Sequence, residues 1–497
     1  MSMSTIESNL KQDVPEKVLE CELCLVGAGL AGLNALAIAI SYLGKNDRVI
    51  VIDRKNGIGG MWQEAYDYVR LHSPYRSFRC GNIEWKLKKP YSYLATKAEI
   101  LDYFANCYEQ AKCSVKLDEY WNYSLLDCQE VKVNGHYEVH ASFTSTVDQQ
   151  PPRLIIKTQR LIKAFGFNAT SPTQLPLTSS SVKSITPSYL YLNSTEIQQS
   201  DKPIYIVGAG KTGMDVAFYL ANRFSDKVVH ILTGQGTAFL NRNKLFPKGM
   251  KRFLGGTLFI DFALNISIKF NGLNEDSIVD DILNNYIISL NNNPQNLLFG
   301  FLSEEELTMI SKNLSIKYAD YLEDVVDGDN SPIMVLKGGE KITIKEGSYF
   351  VNCTGSVLRK NSFYESYLSV NSRILSINHT SSISFPTHVS AYFLTHLWFL
   401  NKLNDLQLIP FNYEAIARKN RKLIYIAGIS HFFYNSTIIS DVLPSKLMGN
   451  FPGFLDKDVY PFYRLLLTGL RLKVNRDKYL NHWKKTLDTV MNRYDNN

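Results

Sequence analysis

Two glycine-rich hexapeptides carry the chemistry legible in this chain. Gly27-Ala28-Gly29-Leu30-Ala31-Gly32 comes after the apolar stretch CELCLV, and Gly208-Ala209-Gly210-Lys211-Thr212-Gly213 after IYIV. In such a turn the first glycine permits the tight change of direction and the second lets backbone N–H groups approach a diphosphate. The third lets the ensuing helix pack closely on the strand. The helix N-terminus adds roughly half a positive charge facing the phosphates. The motif is informative only between a strand and a helix, and the pattern predicts that setting for both copies.

The two copies differ in the strand that succeeds each helix. RVIVIDR ends with Asp53, 21 residues beyond Gly32, where a carboxylate accepts ribose hydroxyls. The strand after the second turn, KVVHIL, runs into Thr233-Gly234-Gln235 with no acid. A carboxylate there would repel a 2′-phosphate, so its absence favours NADP, with NADH as the other option. Arg242 and Lys244 are candidates to neutralise that phosphate. Two dinucleotide turns about 180 residues apart imply two cofactors face to face. Hydride transfer needs that arrangement, because the two reacting rings must touch.

The elements that must position these turns can be read from pattern. Each turn belongs to a strand–helix–strand unit with β-branched runs suited to buried parallel strands. Thr96 and Glu99 form a capping box ahead of TKAEILDYFANCYEQ, and Ser303 with Glu306 forms another. From about 114 to 165 the alternation predicts a β-meander with a hairpin at Asn134-Gly135. Met214, Ala217, Phe218 and Ala221 stripe one helix; Val279, Ile282, Leu283 and Tyr286 stripe another. Residues 240–330 read as helical. YFVNCTG and KLIYIAG read as further buried strands. A C-terminal amphipathic helix, roughly 471–494, carries Leu480, Trp483, Leu487, Val490 and Tyr494 on one face. Docking on its own domain is its expected role, with a peripheral membrane contact as the alternative.

Composition narrows the class. The 497 residues exceed one hydrophobic core, so two or three domains are expected. Hydrophobic content of 45% with 20% charged residues is that of a globular protein. A net charge of +7 without a basic arm or zinc spacing suits anionic cofactors and argues against nucleic acid. Seven scattered cysteines, the absence of a signal-peptide pattern and the absence of a membrane-span-length apolar run point to a soluble cytoplasmic protein.

On these residues the chain resembles two-dinucleotide-domain flavoprotein monooxygenases, the flavin-containing and Baeyer–Villiger group. Asp53-Arg54 leads to Gly59-Gly60-Met61-Trp62, which matches that group's Gly-Gly-x-Trp signature. Ala164-Phe165-Gly166 before SPTQLP stands where the group has Ala-Thr-Gly and a Pro-x-x-Pro-like segment, and Cys353-Thr354-Gly355 ends a second return strand. The departure is LPLTSSSVKSITPSYL, which lacks the glycine and the His-Ser pair of the monooxygenase fingerprint. The resemblance implies an α/β fold of two Rossmann-like domains, one for FAD and one for NAD(P)H, with a β-meander and a helical insertion. It also implies O2 activation as a C4a-(hydro)peroxyflavin acting on a small apolar organic substrate. Arg70, His72 and Ser73 become candidate catalytic groups beside the flavin, and the backbone after Gly428 is expected near FAD. His431 is expected to be structural.

The resulting division is a flexible arm at 1–20, an FAD-binding domain at 21–170 and 340–455, and an NAD(P)H-binding core at 171–240. A helical insertion at 241–339 would form a substrate lid, and 456–497 a C-terminal amphipathic segment. Two alternatives stay open: an NAD(P)H:acceptor oxidoreductase without oxygen insertion, and a non-catalytic dinucleotide sensor. Disulfide reduction is disfavoured, since neither turn region carries a cysteine pair. Cys21 and Cys24, at odd separation on a strand, are expected on opposite faces.

Overall fold

Continuous β-branched runs flanked by glycine turns can be buried on both faces only in parallel sheets, and two such sheets form. In the computed structural model, residues 16–148, 151–166, 172–355, 363–449, 451 and 455–494 are described. The first sheet runs Lys116–Trp121, Arg48–Asp53, Glu16–Val26, Arg153–Ala164, all parallel. Strand Arg153–Ala164 then serves two further neighbours. Its first half pairs antiparallel with His136–Ser145, and its last residues pair parallel with Ile374–Ile377. Tyr123–Val133 completes the meander through a hairpin in which Asn134 and Gly135 both have positive φ. Helices Leu30–Ala39, Lys97–Ser114 and Thr387–Phe399 cover the opposite face.

The second sheet, also parallel, runs Leu314–Tyr318, Val229–Leu232, Ile204–Val207, Tyr349–Asn352, Lys183–Ile185. Helix Lys211–Arg223 packs on it through Met214, Val216, Ala217 and Leu220, a broader apolar face than the expected stripe. Both capping boxes form: the Thr96 and Ser303 hydroxyls accept the backbone N–H of Glu99 and Glu306, whose carboxylates accept the backbone N–H of Thr96 and Ser303 at 2.9 and 2.8 Å. A third core joins helices Phe259–Lys269, Leu423–Ser440 and Arg476–Tyr494, with Trp483, Leu487 and Val490 buried inside it. The last helix therefore docks on its own protein. A break at Asn475 separates it from a preceding helix, Phe462–Val474.

Several expectations are corrected. The strand KLIYIAG is instead the start of helix Leu423–Ser440, buried on almost every side; a short apolar run cannot tell a buried strand from a buried helix. The region 240–330 is mixed. Strands Thr237–Asn241, Ile287–Ser289 and Asn296–Leu302 form a small sheet, and Leu314–Tyr318 joins the second sheet. Tyr349–Asn352, expected in the first domain, pairs with Ile204–Val207 in the second. The stretch Lys116–Trp121, read into the meander, is an edge strand of the parallel sheet. The first strand begins at Glu16, inside the segment read as an arm, and residues 1–15 lie outside the described residues. Cys21 and Cys24 both face the meander core, together with Leu19 and Val26, so side-chain alternation skips at Glu22; both thiols are free.

Candidate functional site

Each glycine turn is shaped by the strand beside it. At Gly27, φ +106°, a Cβ would lie 2.5 Å from the Ala164 carbonyl oxygen; at Gly208, φ +103°, it would lie 3.3 Å from the Cys353 carbonyl. A Cβ on Gly32 or Gly213 would come within 1.8 or 2.0 Å of the oxygen of Gly27 or Gly208. Ala164-Phe165-Gly166 and Cys353-Thr354-Gly355 thus occupy equivalent places, the second backing the second turn rather than the first. Helices Leu30–Ala39 and Lys211–Arg223 start at Gly29 and Gly210 with no side-chain cap, leaving their first N–H groups free for an outside acceptor.

Asp53 ends its strand buried. Its Oδ2 accepts the Ala28 N–H at 2.7 Å and its Oδ1 the Lys55 N–H at 2.8 Å, so this carboxylate also locks the first turn. Gly59 and Gly60 fold over it: the Gly59 N–H donates to the Ala28 carbonyl at 2.9 Å, and Lys55 Nζ donates to the Gly60 carbonyl at 2.9 Å. A Cβ on Gly60, φ +55°, would sit 2.8 Å from Gly29 Cα.

The singled-out residues converge. Gly27, Gly29, Leu30, Ala31, Asp53, Arg54, Gly60, Met61, Trp62, Ala164 and Gly166 line one cavity of about 2290 Å³. Gly208, Gly210, Lys211, Thr212, Thr354, Gly355, Gly428, Arg70, His72 and Ser73 line the same cavity. Gly428 does so from inside helix Leu423–Ser440, not from a strand end. Ala28, Gly32 and Gly213 stand behind the lining as framework.

Arg242 and Lys244 also lie outside the lining. Arg242 pairs with Glu306 at 3.1 Å and donates to the carbonyls of His72 and Phe301 at 2.9 and 3.2 Å. Its guanidinium braces the insertion against the His72 loop, which corrects its expected place at a 2′-phosphate. Lys244 donates to the Asn285 carbonyl.

His72 stands half-buried at the cavity wall. Desolvation, with the Lys211 and Arg242 cations nearby, pushes its pKa down to about 3, so the ring is neutral at physiological pH. Its Nδ1 accepts the Phe301 N–H at 3.3 Å, which assigns the proton to Nε2. Arg70 donates to the Leu94 carbonyl at 3.3 Å, and Ser73 accepts from Ser77 at 3.5 Å. His431 is buried between the Tyr413 hydroxyl and the Ile409 carbonyl, and holds the fold.

Sequence reasoning missed a bridge between the two halves. Tyr66 donates to Asp215, which is also paired with Lys211 of the second turn, while Tyr68 stacks on Tyr219 with ring centroids 4.2 Å apart. Burial and the Asp215 charge push the Tyr66 phenol well above its ordinary value, keeping it a donor. Nothing local marks this pairing. Arg418-Lys419-Asn420-Arg421-Lys422 also lines the cavity, a charge run that could have been flagged from composition. Phe299 and Tyr425, stacked at 4.6 Å, add an apolar wall.

No family model matches the chain. It is 28% identical over 265 residues to the uncharacterized protein Rv2000 of Mycobacterium tuberculosis (strain ATCC 25618 / H37Rv), covering 49% of this chain and 45% of that protein. The uncharacterized protein Mb2023 of Mycobacterium bovis matches to the same extent. The chain spans less than half the length of these curated relatives. Among solved structures it is similar to the open crystal structure of cyclohexanone monooxygenase, at 12% identity, 85% of this chain, 98% of that chain and a TM-score of 0.52. It is similar also to cyclohexanone monooxygenase from Rhodococcus sp. Phi1 bound to NADP+, at 11% identity, 86% and 98% coverage and a TM-score of 0.52. These likenesses bear on the fold alone: the chain shares the two-Rossmann-domain α/β architecture of these structures.

Proposed function

We propose that this chain is an FAD-dependent oxidoreductase reduced by NADPH, working as a monooxygenase on a small apolar organic molecule. One observation carries the reading: two uncapped helix N-termini, at Gly29 and Gly210, open on a single cavity whose remaining wall is largely aromatic and aliphatic. The residues fit the two cofactors. Space at Gly210 is open, with no atom within 4 Å of where a Cβ would be, and the Gly29 position meets only Gly60. The first turn with Asp53 and the Gly59-Gly60 clamp would hold FAD; the second, with Lys211 and Thr212, would hold the nicotinamide dinucleotide. When bound, the pair supplies hydride transfer and O2 activation.

The chain's own residues bind, orient and exclude water. His72, a neutral ring whose Nδ1 is taken by the Phe301 N–H, lines the cavity with Arg70 and Ser73. The Tyr66–Asp215–Lys211 bridge fixes the separation of the two turns, which is the positioning that hydride transfer needs. Phe259, Phe299 and Tyr425 shape a pocket for an apolar substrate.

The second reading, an NAD(P)H:acceptor oxidoreductase, is favoured by the missing His-Ser fingerprint in LPLTSSSVKSITPSYL. Purified protein should be yellow, and NADPH should bleach it anaerobically. Turnover under ¹⁸O2 with a panel of apolar ketones, amines and sulfides should give labelled product. Stoichiometric hydrogen peroxide without labelled product would assign the second reading, and flavin that NADPH leaves oxidised would leave only a sensor role.

A further inference from the structure

The helix Phe462–Val474 has more apolar side chains than its contact with the core uses. Phe462, Leu466, Leu470 and Val474, at i, i+4 spacing, are 76%, 49%, 49% and 82% exposed, with Leu467 beside them. The inward face is mixed: Leu465 and Leu472 pack on the core, while Arg464 donates to the carbonyls of Gly255 and Gly256, Thr468 to Asp261, and Arg471 to Asn265. A helix that serves only its own domain turns its apolar face to the core. The short helix Lys251–Leu254 extends this surface. Leu254 is 89% and Met250 71% exposed, and the Phe253 carbonyl accepts the Tyr463 hydroxyl at 2.8 Å, so the two helices present one patch. Contiguous apolar surface of this kind marks an interaction face.

Charge decides the occupant. Residues 247–260 and 461–475 contain no Asp or Glu. Lys248, Lys251 and Lys473 are exposed around the patch, and none takes part in a salt bridge among the described residues. A second copy of the chain would set these lysine rims against each other. An anionic bilayer instead offers headgroups to the lysines and an acyl boundary to the apolar side chains. No described helix is long and apolar enough to cross a membrane.

We propose that this face docks the protein peripherally on an anionic lipid bilayer, with Leu254 and the stripe of helix Phe462–Val474 entering the headgroup–acyl boundary. Docking also bears on access to the cavity. Asp261 and Asn265 of helix Phe259–Lys269 hold the docking helix, while Phe259, Ile260 and Ala263 of the same helix line the cavity. The bilayer then lies one helix away from the substrate space. The docking itself does not depend on the redox reading.

The test is co-sedimentation of the full chain with phosphatidylcholine vesicles, with and without phosphatidylserine. The protein should pellet with anionic vesicles about ten-fold more than with neutral ones, and raised salt should weaken the association. Leu254→Asp with Leu467→Asp should lower binding about ten-fold. Lys248→Glu with Lys251→Glu should erase the preference for anionic lipid. The four positions are exposed, so melting midpoints should match wild type, and Leu467→Met should keep full binding. Protein that stays in the supernatant with anionic vesicles, or that binds neutral and anionic vesicles alike, overturns the proposal. So does a dimer in sedimentation velocity that Leu467→Asp dissociates while vesicle binding is absent.

Discussion

The Tyr66 hydroxyl, on the loop beyond the Gly59-Gly60 clamp, donates a 2.7 Å hydrogen bond to Asp215, one turn into the helix that opens at Gly210. A loop of the first half is thereby fastened to the helix whose N-terminus would receive the second dinucleotide. Tyr66→Phe removes a bond to a charged acceptor, a cost of about 2 kcal/mol. FAD content should stay unchanged, and the anaerobic rate of reduction by NADPH should fall about ten-fold through lost positioning. A reduction rate equal to wild type would show that the bridge only steadies the fold.

Glycines of one motif should fail for different reasons. Gly32→Ala and Gly213→Ala place a methyl within 1.8 and 2.0 Å of a backbone oxygen, so both should yield unfolded or aggregated protein. Gly210→Ala meets nothing within 4 Å and has φ −73°, which alanine adopts freely. It should melt like wild type while raising the KM for NADPH about ten-fold by crowding the diphosphate. Circular dichroism melts and steady-state assays of the three variants separate these effects.

Arg242→Ala strands the largely buried Glu306 and frees the His72 and Phe301 carbonyls. Removing one partner of such a pair costs about 3 kcal/mol, so the melting midpoint should drop by several degrees. The ratio of kcat/KM for NADPH to that for NADH should not change. A selective loss of NADPH activity would return Arg242 to the 2′-phosphate.

Acid should destabilise the protein through its neutral imidazoles. Burial lowers His72 to about 3 and His388, His396 and His431 to about 4, from an ordinary 6.5. Above 6.5 these rings are neutral in both states and contribute no pH dependence. Below it the unfolded chain binds protons that the folded chain does not, so stability falls as pH drops from 6.5 toward 4. Thermal melts from pH 8 to 4.5 should show this slope, and His431→Gln should make it shallower. The rate of NADPH oxidation should show no His72 inflection above pH 6.5.

What the sequence made legible was local. Both glycine turns, the Thr96–Glu99 and Ser303–Glu306 boxes and the Asn134-Gly135 hairpin depend on residues a few positions apart, and all take the conformations their patterns predict. What escaped depends on long-range burial. Leu423–Ser440 is apolar all round, so periodicity could not reveal a helix, although a run of 18 residues without a proline is long for a strand. Tyr349–Asn352 shows only that it is buried, not in which sheet. Arg242 looked free because Glu306 is 64 positions away in sequence, and the Tyr66–Asp215 pairing spans 149.

The branching of strand Arg153–Ala164 bears on how the chain is made. Its partner Ile374–Ile377 leaves the ribosome some 200 residues later, after every strand of the second sheet has been synthesised. The earlier-made half must therefore wait, with one flank of Leu161–Ala164 at the end of its central strand unpaired, until the later half has emerged. Contacts at such separation fold slowly and expose apolar edges meanwhile. Low growth temperature and chaperone supply should accordingly raise the yield of native protein.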